Sequence, residues 1–229
     1  MQIPCSEKES FIFKKIAHAA RDLGQPVYVI GGFVRDKILG RPTKDADIVT
    51  VGDGIALAHK VAELFQPRLP VAFYKTFGTA QISMEGLVIE FVGARKESYR
   101  FDSRNPEVAP GTLQEDQLRR DFTVNALAIS LNDADYGTLL DPFSGMLDLE
   151  NKLLRTPLDP ARTFSDDPLR MLRAIRFASQ LRFTIDEPVF TAIKENKERI
   201  RIITQERITE ELNKILLSAK PSVGFDLLY

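Results

Sequence analysis

Two aspartates stand one residue apart in Lys44-Asp45-Ala46-Asp47-Ile48-Val49. If this run is a strand, residues i and i+2 face the same way, and both carboxylates leave one side together. Side by side they repel each other. A divalent cation resolves that conflict, and magnesium suits a few carboxylate oxygens completed by the oxygens of a phosphate. Two solvated turn aspartates, one paired with Lys44, are the alternative. Shortly upstream lies Gly31-Gly32-Phe33-Val34-Arg35-Asp36. Glycines let a ligand approach the backbone closely. A helix beginning at about Phe33 would turn its free N–H groups toward a phosphate, and Arg35, one turn in, could fork onto phosphate oxygens. An ordinary strand-to-helix turn is the alternative.

Three further groups carry charge where apolar neighbours dominate. Glu90 sits among Val88, Ile89, Phe91 and Val92. A carboxylate there needs a partner or a metal, unless it lies on an edge facing water. It is a candidate third acidic residue, supporting the deprotonation of an attacking hydroxyl. The run Leu118-Arg119-Arg120-Asp121-Phe122-Thr123-Val124-Asn125-Ala126 reads as a helix with Leu118, Phe122 and Asn125-Ala126 on one side. Arginines in its first turn would oppose the helix dipole, a local cost that an anionic ligand would explain. From Asp167 the chain reads as helical, with Pro168 at the first helical position and Asp167 or Ser165 as cap. Arg170, Arg173 and Arg176 then form a slanted stripe roughly 120° wide, flanked by Met171, Leu172, Ala174, Ile175 and Phe177. Arginines on such a helix should line a cleft and meet phosphates or base edges.

The elements that hold these residues are legible from periodicity. Residues 6–23 predict a helix stopped by Gly24, Val27 to Ile30 a buried strand, and Asp53 to Phe65 a second helix. His18 and His59 read as helix-surface residues. Thr79 to Met84 and Leu87 to Val92 predict two strands around Glu85-Gly86. Residues 95–117, dense in charge and broken by prolines, predict a long mobile loop. Its Arg95, Lys96, Arg100 and Arg104, with Tyr99 and Phe101, would suit nucleic acid. A boundary is expected near residue 150, with Pro157 and Pro160 in a linker. Further helices are expected over Glu187 to Asn196 and Thr204 to Ser218.

Composition narrows the class. The 229 residues carry a net charge of −1, so nucleic-acid binding cannot rest on bulk charge and needs a local patch. One cysteine, Cys5, builds no disulfide, which fits a reducing cytoplasm. No apolar run approaches the roughly 18 residues of a membrane span.

Taken together, G-G-F-V-R-D, K-D-A-D-I-V, R-R-D-F-T-V-N-A, D-P-F-S-G-M-L-D-L and D-D-P-L-R-M-L-R resemble, in fixed order, the motifs of class II tRNA nucleotidyltransferases. These are the CCA-adding enzymes, whose superfamily includes bacterial poly(A) polymerases. Three positions depart from the family pattern: Val124 replaces Ile, Ser144 a glycine, and Asp166 a Glu. The resemblance implies an α+β fold: a polymerase β-like nucleotidyltransferase head with a mixed sheet (1–150) and an all-helical neck (151–229). It implies that Asp45 and Asp47 hold magnesium, and that Glu90 has a supporting role. Gly31, Gly32, Arg35 and Arg120 would hold triphosphate and sugar, and Asp121 and Asn125 would be ribose-side or structural groups. Asp167 and Arg170 would hydrogen-bond the Watson–Crick edge of CTP or ATP, with Arg173 and Arg176 on base or phosphates. The implied reaction adds CMP or AMP to the 3′ end of tRNA. Poly(A) synthesis, addition of A or C alone, and a non-catalytic RNA-binding module are the alternatives. Family members continue into tRNA-gripping regions, so the chain is expected to be truncated.

Overall fold

The computed structural model describes residues 4–74, 78–84, 86–100 and 103–229. Glu85 and Phe101 lie outside the described residues, as do the side chains of Tyr99, Arg100 and Arg104. The chain packs as two units, each discontinuous in sequence. The first comprises residues 1–96, 109–117 and 125–142; the second comprises 97–108, 118–124 and 143–229.

The first unit opens with α1 (Glu7–Asp22), which starts at a capping box between Ser6 and Glu9. It continues through β1 (Val27–Ile30), α2 (Gly32–Ile38), β2 (Asp45–Thr50), α3 (Gly54–Glu63), β3 (Ala72–Tyr74), β4 (Thr79–Met84) and β5 (Leu87–Gly93). After β6 (Arg95–Arg100) and β7 (Ser103–Pro110), which pair with each other and belong mostly to the second unit, the first resumes with α4 (Leu113–Leu118), β8 (Ala128–Ser130) and β9 (Leu139–Leu140). Among the described residues the main sheet runs β3-β4-β5-β2-β1-β8-β9. It is mixed: β2 pairs parallel with β5, and the other neighbours are antiparallel.

One sheet face is largely apolar. Ala46, Ile48, Ala80, Ile82, Ile89 and Phe91 are buried there, with α1 and α3 supplying Ile12, Ile16, Leu57 and Val61 to the same core. Gly54 opens α3 so close to β5 that a Cβ would lie 2.8 Å from the Val92 carbonyl carbon. The opposite face is apolar only at one end, where Ile30, Val49, Ala94 and Ala128 cluster beneath Leu113.

The second unit contains α5 (Gly145–Glu150), β10 (Leu153–Leu154), α6 (Pro160–Asp166), α7 (Leu169–Leu181), β11 (Thr184–Ile185), α8 (Glu187–Asn196), α9 (Gln205–Leu216) and α10 (Pro221–Leu228). Apart from most of the β6–β7 pair and the two-residue parallel ladder of β10 with β11, its described elements are helical. α7 is its central helix, buried along most of its length.

Three local expectations are corrected. Residues 95–117 are not a loop but the β6–β7 hairpin followed by α4. Arg95 to Ser98 alternate between half-buried and exposed, yet the inward position Glu97 is a charge rather than an apolar residue. It is neutralised by Arg119 at 3.1 Å, so the strand period carries no hydrophobic signal. Residues 118–128 are not one helix either. α4 ends at Leu118, a short 3₁₀ turn spans Thr123–Asn125, and β8 begins at Ala128. Phe122, Val124, Ala126 and Leu127 are all buried, which no single helical stripe could achieve. Arg119 and Arg120 therefore follow a helix C-terminus, where positive charge is favourable, and the supposed electrostatic cost disappears. Pro160, expected in a linker, instead opens α6 behind the cap Asp159.

Candidate active site

The strand register assembles the acidic cluster. β2 lies beside β5, and Asp47 is level with Glu90. Glu90 is in turn level with Gln81 on β4. Laterally opposed residues share a sheet face, so Asp45, Asp47, Glu90, Gln81 and Thr79 project from the side of the sheet left uncovered by α1 and α3. Asp45 is exposed and Asp47 half-buried. Glu90 keeps a solvent-facing surface. Even so, partial burial, then the neighbouring Asp47 carboxylate, raises its pKa above the usual glutamate value; Arg95 offsets part of this.

Asp45 and Asp47 line two recesses. One, of about 390 Å³, is walled by Gly32, Phe33, Arg35, Asp36 and the turn Pro42-Thr43-Lys44. The other, of about 250 Å³, is walled by Tyr74, Thr79, Gln81, Val88 and Glu90. Two aspartates on one strand face, open to solvent on both sides, are a donor set that suits a hard cation whose remaining ligands are phosphate and water oxygens. Among the described residues, no group of three or more His, Cys, Asp or Glu side chains is arranged to cage a metal by itself.

Gly31 stands between β1 and α2 with φ of 81°, which an L side chain rarely adopts. Its N–H donates to the Leu127 carbonyl at 3.0 Å, fixing the start of α2. Arg35 is buried, and its guanidinium fork closes on its neighbour: Nε and one terminal nitrogen donate to the two Asp36 oxygens at 3.0 and 2.9 Å. The other terminal nitrogen donates to Asn125 Oδ1 at 2.5 Å. Asn125 is thus a support for Arg35.

In the second unit the R-R-D segment meets α7. Asp121 is buried; its Oδ1 accepts the Phe122 N–H, and its Oδ2 accepts Arg173 Nε at 2.7 Å. Arg170, also buried, donates to the Arg119 carbonyl at 2.7 Å. Asp167 forms the corner between α6 and α7, where its Oδ1 caps Leu169 N–H at 3.1 Å. Arg120 is half-buried. Arg176 points the other way along the stripe, into the helical packing. It pairs with Glu211 of α9 at 3.1 Å and stacks on Phe177, 4.2 Å from the ring centre.

Sequence reasoning missed the residues that hold these groups in place. Asp36 grips Arg35. Asp148, fully buried, accepts from Thr123 Oγ1 at 2.5 Å and from Arg155 at 2.6–2.8 Å, and so fixes the end of the R-R-D-F-T segment. Glu211 neutralises Arg176. A hint existed only for Asp36 and Asp148, which sit inside the recognisable strings; no motif surrounds Glu211.

Comparison with known proteins gives a consistent picture. Residues 27–155 match the family described as Poly A polymerase head domain, and residues 182–229 match one described as probable RNA and SrmB-binding site of polymerase A. The chain is 43% identical over 168 residues to an A-adding tRNA nucleotidyltransferase of Aquifex aeolicus, covering 73% of this chain and 20% of that protein. It is 39% identical over 214 residues to a CCA-adding enzyme of Lactobacillus helveticus, covering 93% and 51%. A solved tRNA nucleotidyltransferase complexed with a primer tRNA and an incoming ATP analog superimposes with a TM-score of 0.80 at 34% identity, over 93% of this chain and 59% of that one. The chain spans about half the length, or less, of the curated relatives it matches.

Proposed function

Because the chain belongs to the poly A polymerase head-domain family, we propose that it transfers AMP and CMP from ATP and CTP to the 3′ end of tRNA, in the cytoplasm and without a nucleic-acid template. One observation carries this reading: Asp45 and Asp47 share a strand face, with Asp47 level with Glu90, at the junction of two open recesses.

Asp45 and Asp47 would hold magnesium, which would supply Lewis acidity toward the reacting phosphate and the attacking hydroxyl. The RNA 3′-oxygen attacks the α-phosphorus, a new P–O bond forms, and pyrophosphate leaves in line. Glu90, with its raised proton affinity, is suited to take up the proton of that hydroxyl. Arg35 presents a guanidinium locked by Asp36 and Asn125, so little of its rotamer freedom is lost when an anion arrives. Gly31 and Gly32 keep backbone accessible at the start of α2, and Arg120 would meet the sugar and phosphates. Asp121 anchors Arg173, which gives both a positioning part. Asp167 and Arg170 would read the base: the carboxylate accepts from an exocyclic amine, and the guanidinium donates to a ring nitrogen or carbonyl. Uracil and guanine would leave those groups unpaired. Arg176 would act through Phe177 and Arg173 rather than by contact.

The test is a thermal-shift titration with the four nucleoside triphosphates, with and without magnesium, on this chain and on Asp47→Ala. ATP and CTP should raise Tm more than UTP and GTP, and Asp47→Ala should lose the magnesium-dependent part. Equal shifts for all four, or none, would overturn the reading. Addition of A alone is the second reading, favoured by the A-adding relative at 43% identity. Product analysis with ATP and CTP supplied separately distinguishes the two.

A further inference from the structure

The two recesses beside Asp45 and Asp47 differ in chemistry. The larger has Arg35 and Lys44 in its walls and the glycine turn at its edge, which suits a polyphosphate. The walls of the smaller add a third carboxylate, Glu90, to the two aspartates, together with the Gln81 amide, the Thr79 hydroxyl and the Tyr74 ring. That is a poor place for a phosphate chain and a good one for a nucleoside, whose sugar offers hydroxyl donors and whose base offers a flat apolar face.

Tyr74 ends β3, the edge strand of the sheet, paired with Thr79 of β4. Thr79 and Gln81 are two residues apart on β4, and Gln81, Glu90 and Asp47 are level across three strands. Tyr74 therefore stands on the same sheet face as the aspartates, at the outer rim of the recess, and is 55% exposed. An aromatic ring left this open at the lip of an acidic recess has the properties of a stacking platform.

In-line phosphoryl transfer needs the attacking oxygen on the side of the phosphorus opposite the leaving group. A triphosphate toward Gly32 and Arg35 thus places its acceptor on the Glu90 side. We infer that the recess walled by Tyr74, Gln81 and Glu90 receives the terminal nucleoside of the acceptor RNA, with Tyr74 stacking on its base. This inference rests on the nucleotidyl-transfer reading and adds a substrate-positioning residue to it. Stacking accepts any base, so Tyr74 would hold successive 3′ ends as the acceptor grows.

The test uses a short RNA ending in 2-aminopurine riboside, whose fluorescence falls when the base stacks. It is titrated to millimolar concentration into the chain with magnesium and an ATP analogue whose α,β bridge cannot be cleaved. Wild type and Tyr74→Phe should quench alike. Tyr74→Ala should weaken RNA binding about tenfold and lose the quench, with the Tm of the ligand-free protein reporting that it remains folded. Equal quenching by Tyr74→Ala overturns the inference, as does a wild type that binds the ATP analogue but never quenches the RNA. If the ATP analogue gives no stabilisation in any variant, the nucleotidyl-transfer reading itself fails.

Discussion

Glu90 is a carboxylate whose charge the fold disfavours. Burial and Asp47 raise its pKa, so the folded protein binds that proton more tightly than the unfolded chain does. The resulting stability is present at low pH and is lost as pH rises through the raised value. Without divalent cations, Glu90→Gln should therefore have a higher Tm than wild type at pH 7–8, with the gap closing toward pH 4. Glu90 retains exposure, so the gap should not exceed about 2 °C; a lower Tm for the variant at pH 8 would show that the repulsion is unimportant. Asp47→Asn should abolish the magnesium-dependent part of nucleotide stabilisation while keeping the fold, as circular dichroism would report. The D-x-D string was legible because a spacing of two in a strand puts both carboxylates on one face. The partnership of Asp47 with Glu90 was not, because it depends on which strands lie side by side and in what register, a relation across more than forty positions of chain. Arg35 shows the same limit: its position was legible, but not that its fork would close on Asp36.

At the scale of elements, the α7–α9 contact is held by a charge pair in an apolar setting. Arg176 and Glu211 have side chains only 9% and 4% exposed. Lys214 also reaches Glu211, at 3.3 Å, so Arg176→Met leaves that carboxylate a half-exposed partner and should cost somewhat less than the ~3–5 kcal/mol of a wholly stranded buried charge in urea denaturation, whereas Arg176→Met with Glu211→Leu should lie close to wild type. Equal losses in single and double variants would mean that packing rather than charge holds the helices. Gly54→Ala drives a methyl into the β5 backbone and should cost about 1–3 kcal/mol by the same measurement. Helices α1, α3 and α9 were readable from apolar periodicity. The β6 strand was not, because its inward residue Glu97 is charged, and the period-2 signal depends on apolar residues facing in. The R-R-D-F-T-V-N-A run misled for a related reason: it is buried on all sides, and periodicity cannot separate a buried turn from a buried helix.

For the whole molecule, ligand binding and folding are linked. A nucleotide–magnesium complex at a hundred times its Kd should stabilise the protein by about 2.7 kcal/mol. A chelator should remove the share that depends on Asp45 and Asp47, which calorimetry would measure. Fold class was legible from the order of motifs, but the partition of the chain was not, since local composition carries no record of long-range packing. The chain passes between its units at 96/97, 108/109, 117/118, 124/125 and 142/143. This interleaving bears on biosynthesis. A ribosome delivers residues in order at roughly 5–20 per second, and the first unit cannot close until residue 142 has emerged. Residues 97–108 and 118–124 leave the exit tunnel well before the helices they pack against, with Phe122 unsheltered in the meantime. The nascent chain thus passes through a window, several seconds long, in which the arginine–aspartate segment of its own site is a client for chaperones rather than part of a fold.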